Sequence, residues 1–147
     1  MITKKEPAIK ESATKIESIE GCHGYKILND PNRKTSHGKD KMLCDVIGKR
    51  NASPDWQGPN WYRVSSNAGS KIATTKVSKY QCNTNAPGYI SSNIVMPTKL
   101  GESTYATVSF VWGYIKTVQI TIKNCGDFYT YYLPNAPEGG MRYCTSA

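Results

Sequence analysis

The chain has 147 residues, 38% of them hydrophobic and 20% charged, with ten Tyr against two Phe and a formal net charge of +8. That suits one domain with its own core, is too short for two comfortable ones, and is too apolar for a chain that stays unfolded throughout. A polar residue interrupts every apolar stretch before about twenty residues accumulate, so neither a spanning helix nor direct membrane insertion is expected.

In chain order, residues 1–20 set Lys4, Lys5, Lys10 and Lys15 against Glu6, Glu11, Glu17 and Glu20 with no aromatic residue, which reads as a solvated linker, with a frayed helix as the alternative. No apolar run of about seven residues follows Lys4 and Lys5, so the N-terminus as given does not read as a secretory signal. Residues 21–147 form the domain. Tyr25 to Leu28 is a short strand, and Asn29-Asp30-Pro31-Asn32 has turn chemistry. Residues 32–60 are polar and rich in Gly, Pro and Asn, hence loop. Trp61 to Ser65, Lys71 to Val77, Gly88 to Met96 and Tyr105 to Trp112 follow as β-biased runs. From Lys116 to Lys123, Thr117, Gln119 and Thr121 alternate with Val118, Ile120 and Ile122, the period of a strand with one wet face. Phe128 to Leu133 closes the series. With no sustained helical periodicity, the expected fold is mainly β: a compact, loop-rich antiparallel domain, either a sandwich or paired hairpins.

The whole charge excess lies in residues 21–147, where 15 Lys and Arg face 7 Asp and Glu. One basic stretch holds Lys26, Arg33, Lys34, Lys39, Lys41, Lys49 and Arg50. A second holds Arg63, Lys71, Lys76, Lys79 and Lys99, with no acid between Asp55 and Glu102. Such a surface attracts nucleic acid, acidic glycan or acidic protein alike, or it serves solubility alone. The candidate anion contacts are Arg33, Lys34, Lys39, Lys41, Lys49 and Arg50.

Five cysteines, at 22, 44, 82, 125 and 144, never form a C-x-x-C pair, which argues against zinc and thioredoxin-type chemistry. Disulfides in an extracellular chain are one reading, and reduced buried thiols in a cytosolic one the other. An odd count leaves one thiol free or bonded to another chain.

Certain residues recur in an informative order. Cys22 and Tyr25 precede Asp30-Pro31-Asn32-Arg33, Cys44-Asp45 and Trp61-Tyr62-Arg63 with Gly69 and Ile72. After them come Cys82-Asn83-Thr84, Ala86-Pro87-Gly88-Tyr89, Gly101-Glu102, Asn124-Cys125, Tyr131-Tyr132-Leu133 and Tyr143-Cys144-Thr145. Over residues 22–145 this pattern resembles the uromodulin-like cysteine-rich module that precedes a zona-pellucida polymerisation region. The resemblance implies a secreted, matrix or cell-surface protein, a disulfide-bonded β fold, other domains in a larger parent chain, and no catalysis or cofactor. By position it also implies bridges Cys22–Cys125 and Cys82–Cys144. Cys44 is left free or intermolecular, since the family's partner position holds Gly139. Two further family bridges, around Lys76 and within 109–115, have lost both ends. The family's adhesin-decoy glycan is not implied here, because Asn135-Ala136-Pro137 is no acceptor; the one Asn-x-Ser/Thr match is Asn51-Ala52-Ser53.

Neither histidine suggests chemistry. His23 adjoins Cys22, and His37 lies in a Lys-rich loop, so both read as surface groups. Trp61, Tyr62 and Arg63 suit a stacking platform for a sugar or base, or else a core strand with Arg63 paired to Asp45 or Asp55. In the second segment, Tyr129 and Tyr131 share one face and Tyr132 takes the other. The expected function is a non-enzymatic extracellular interaction module for an extracellular protein or acidic polysaccharide, with no nucleic acid partner. The alternative is an intracellular nucleic-acid-binding domain, for which no basic helix, aromatic RNA signature or zinc site is present.

Overall fold

The computed structural model describes residues 16–38 and 40–147. Most of the segment read as a linker, and Lys39 among the basic residues, lie outside them. The fold is mainly β, as expected. Seven of the nine strands among the described residues form one curled sheet.

The strands are β1 (Lys26–Leu28), β2 (Asn60–Val64), β3 (Lys71–Ile72), β4 (Ala86–Ile90), β5 (Ser103–Val111), β6 (Ile115–Asn124), β7 (Tyr129–Leu133), β8 (Met141–Tyr143) and β9 (Thr145–Ser146). The large sheet runs β1-β2-β7-β6-β5-β4-β8, and β3 pairs with β9 in a separate ribbon. Its interior pairings are antiparallel, whereas β1 on β2 and β4 on β8 are parallel. Both parallel pairs lie at sheet edges, where long loops rather than tight turns deliver the outermost strand.

Alternation decides which side chains face inward. On β6, Ile120, Ile122 and Asn124 are buried while Lys116, Thr117 and Gln119 are exposed. On β2, Tyr62 and Val64 point into the core while Trp61 and Arg63 take the outer face. The core gathers Leu28, Val108, Phe110, Ile120, Ile122, Tyr131, Leu133 and Met141 around stacked rings. Trp56 lies 4.8 Å from Tyr62 at an interplanar angle of 10°, and Phe110 meets Tyr143 edge-on at 5.3 Å.

Two expected strands are shorter than the composition suggested. The run Lys71–Val77 is strand only at Lys71 and Ile72; Ala73 carries the pairing one residue further with its N–H to Cys144 O, and its carbonyl turns to Ile90 N. The strand in the run Gly88–Met96 ends at Ile90; Ser91 N still donates to Thr107 O at 2.9 Å, and beyond it serine hydroxyls take over, with Ser92 Oγ accepting from Thr107 N at 3.0 Å and Ser91 Oγ meeting Ser109 Oγ at 2.6 Å. Gly88 is required here. A Cβ at that position would collide with the Phe110 ring and lie 3.0 Å from Arg142 O. β8 and β9 are too short for alternation to announce them.

Three buried tyrosines carry a pH signature. Burial pushes Tyr62 and Tyr131 up to about 12 and holds Tyr143 well above the ordinary tyrosine value. Tyr62 Oη donates to Gly58 O at 2.7 Å, and Tyr143 Oη to Pro134 O at 2.7 Å. Because the folded values exceed the unfolded value of about 10, the stabilisation is complete below that pH and fades as pH rises through the folded values. A step of tyrosinate absorbance equal to three residues is therefore expected together with loss of near-UV circular dichroism near pH 12. Full ionisation of all tyrosines with native dichroism intact would contradict it.

Candidate functional site

The Asp30-Pro31-Asn32-Arg33 turn folds as a 3-10 turn over Pro31–Arg33, with Asp30 Oδ1 accepting from Asn32 N at 3.0 Å. That turn sends Arg33 into the core rather than to solvent. Its side chain is fully buried, and all five guanidinium N–H groups are used. Nη1 and Nη2 donate to the two oxygens of Asp45 at 2.7 and 2.8 Å. Nε and Nη2 donate to Asp55 at 2.9 and 2.6 Å, and Nη1 also reaches Tyr143 O at 3.0 Å. The candidate assignment of Arg33 as an anion contact is corrected accordingly: internal carboxylates occupy every donor that an external anion would need.

Arg142 is buried beside it. Nε donates to Ser53 Oγ at 2.8 Å, Nη1 to Cys82 O at 2.9 Å and Nη2 to Asp30 Oδ2 at 2.7 Å. Burial would lower the affinity of Arg33 for its proton, but Asp45 and Asp55 more than offset this and raise it. For Arg142 burial wins, aided by repulsion from Arg33, and its value falls. Burial would raise Asp55; the Arg33 hydrogen bonds and charge, with the Asp30 N–H, hold it below the usual carboxylate range.

The remaining basic residues are carried by loops. Lys41, Lys49 and Arg50 are exposed and Lys34 is half-buried. The ion pairs among the described residues, Arg33–Asp45, Arg33–Asp55, Lys116–Glu138 and Arg142–Asp30, engage none of them. Asn83 is the hub of that loop, a role the sequence reading did not assign. Its side chain accepts from Lys41 N at 2.8 Å and donates to Asn32 Oδ1 at 3.1 Å, while its backbone bonds Gly38 and Leu43. Its φ of 54° is a conformation Asn tolerates better than most residues, which is the one signal the sequence offered.

The expectation that Arg63 pairs with Asp45 or Asp55 is also corrected. Those carboxylates belong to Arg33, and β2 alternation turns Arg63 to the other face. There its guanidinium lies 3.9 Å from the Phe128 ring centroid, and Nη1 donates to Tyr25 Oη at 3.1 Å. On the same face Lys123 sits over Trp61 at 5.2 Å, and Trp61 meets Tyr132 edge-on at 5.6 Å. Tyr62, the middle residue of the motif, is core. Tyr131 is buried, Tyr129 half-buried and Tyr132 exposed. His23 is exposed, and the His37 backbone helps shape the basic loop.

Disulfides join Cys22 to Cys125 and Cys82 to Cys144, across 103 and 62 residues. Cys44 is free and buried, with Sγ 3.4 Å from Asn51 Oδ1. Asn51 is exposed and donates Nδ2 to Met42 O at 2.9 Å. Ser53, which completes the acceptor triplet, is buried and donates Oγ to Cys44 O at 3.1 Å.

These features define a class: a β module stapled by long-range disulfides around a buried ion network. Residues 62–145 match the family model of the uromodulin-like domain. The chain belongs to that family. It is 31% identical over 135 residues to the pancreatic secretory granule membrane major glycoprotein GP2 of Canis lupus familiaris, an alignment covering 88% of this chain and 24% of that protein. The Rattus norvegicus glycoprotein of that name is 26% identical over 84% of this chain and 22% of its own length, and Rattus norvegicus uromodulin 29% identical over 89% and 19%. The chain thus spans about a quarter or less of the curated relatives it matches. Its place is secreted or at the cell surface, and no helix among the described residues is long and apolar enough to cross a membrane.

Proposed function

We propose that this domain is a non-enzymatic interaction module of a larger extracellular glycoprotein. Its basic loop, carrying Lys34, Lys39, Lys41, Lys49 and Arg50, contacts an acidic glycan, an acidic matrix protein or a mineral-associated polymer. The observation that carries this reading is that, among the described residues, Lys34, Lys41, Lys49 and Arg50 enter none of the ion pairs while the carboxylates Asp45 and Asp55 are consumed in the core by Arg33. Field from unneutralised cations favours a polyanion and makes the contact salt-dependent. Three of the domain's acids hold internal arginines instead of lining a cleft, which supports binding over acid–base chemistry. Asn51, on the same loop, is the proposed glycan acceptor.

Heparin resin tests the reading. The intact domain is expected to bind at low salt, and Lys34→Gln, Lys41→Gln and Lys49→Gln together to elute at distinctly lower salt. No retention of the intact domain at low ionic strength would end the proposal.

A further inference from the structure

Between the end of β2, the β3 ribbon and the β6–β7 turn lies an open cleft of about 620 Å³, within the range of small-ligand sites. We propose that this cleft binds a single carboxylate-bearing sugar residue. Arg63 and Lys71 hold the carboxylate, and the serines at 65, 66 and 70 meet the sugar hydroxyls. This site is separate from the basic loop and does not depend on its reading.

Arg63 is aimed but not neutralised. Phe128 lies under its plane and Tyr25 Oη takes one N–H, while none of the ion pairs among the described residues includes it. A pre-oriented planar fork of this kind matches the two oxygens of a carboxylate. Lys71, exposed on β3, supplies a second cation across the cleft. Ser65 makes no capping hydrogen bond with its hydroxyl, and Met96 and Phe128 give apolar wall for a ring face.

Asp127 selects among anions. It shares the cleft with the two cations. A densely sulfated chain would press several negative charges against it, whereas a sugar with one carboxylate offers it hydroxyl donors instead.

The walls are held before any ligand arrives. Asn124 Oδ1 accepts from Gly126 N at 2.7 Å, and its Nδ2 donates to Pro97 O at 2.8 Å; Tyr129 Oη reaches the same carbonyl at 3.2 Å. The Cys22–Cys125 bridge fixes the base of that turn. Opposite, Gly69 lies so close to Ser146 O that no side chain would fit. Little ordering is left to oppose binding.

Amide chemical-shift mapping of the full chain tests the proposal, with the methyl glycosides of glucuronic acid and N-acetylneuraminic acid as probes and methyl glucoside as neutral control. The acidic sugars are expected to move amides within 63–71 and 126–129, and the neutral one to leave them in place. Loss of a charge-assisted bond in Arg63→Gln should weaken binding about tenfold. Because Arg63 also packs on Phe128, Lys71→Gln on the exposed two-residue strand is the second variant, with a weakening of about fivefold or more. Equal response to the neutral sugar, or acid-specific shifts confined to other segments, or none at millimolar sugar, would overturn it.

Discussion

Replacing Arg33 by Met is expected to destabilise the domain by about 3–5 kcal/mol, because it leaves Asp45 and Asp55 buried without their countercharge. The melting temperature should fall by roughly 10–20 °C for a domain of this size. Arg33→Lys keeps the charge but offers three donors where five are used, so it should lie between parent and Met variant. The Asp45 side chain has no exposure to water and accepts from both Arg33 and Tyr143 N at 2.9 Å, so relaxation toward solvent is closed to it. Thermal melts of the three proteins decide the matter. A Met variant within about 1 kcal/mol of the parent would show that the carboxylates take protons at little cost and that the network is dispensable.

The network holds three carboxylates against two guanidinium groups, Asp30, Asp45 and Asp55 against Arg33 and Arg142. Backbone donors balance the excess. Asp55 Oδ2 accepts from Asn29 N at 3.1 Å and Asp30 N at 3.0 Å, and Asp45 Oδ2 accepts from Tyr143 N. The segments so joined, 29–33, 45–55 and Cys82, lie outside the strands, and Arg142 and Tyr143 tie them to the edge strand β8. Hydrogen bonds to fixed charges therefore do for the long 34–59 connection what ladders do for the sheet.

Most of the sheet was legible because its strands have one wet and one dry face. β6 is the plainest case, and the exposure of Tyr132 beside buried Tyr131 follows from the same rule. The edge strands were not legible: β8 and β9 hold three and two residues, fewer than a period-2 pattern needs. The two arginines were exchanged. Alternation on β2 does place Arg63 outward with Trp61, but a 3-10 turn has no such rule, so nothing in Asp30-Pro31-Asn32-Arg33 tells which way Arg33 is aimed. Its partners come from 12 and 22 residues along the chain and from a carbonyl 110 residues away. Segments so distant are brought together by the whole fold and by no local pattern.

Removal of the Cys82–Cys144 bridge as Cys82→Ser with Cys144→Ser is expected to cost about 4 kcal/mol from loop closure, slightly less than about 4.7 kcal/mol for Cys22–Cys125, whose loop is longer. The local consequences run in the opposite order. Tyr80, Cys82 and Asn83 hold φ values of 72°, 46° and 54°, and residues with side chains stay in that region only while the surroundings enforce it. Cys82 N donates to His37 O, Asn83 N to Gly38 O and Leu43 N to Asn83 O, so the basic loop leans on this strained turn. Without the 82–144 link the turn relaxes and the loop loses its hub, whereas the 22–125 link ties the domain's N-terminal end to the β6–β7 turn. Amide exchange within 37–43 should therefore accelerate in the first double variant well beyond the change in global stability, and track global stability in the second. In the unreduced parent, a thiol reagent should find one group per chain, Cys44, and only after unfolding, since that side chain is fully buried. Five reactive thiols, or unchanged protection of 37–43 once Cys82 and Cys144 are serines, would show that the sulfur links do not organise this surface.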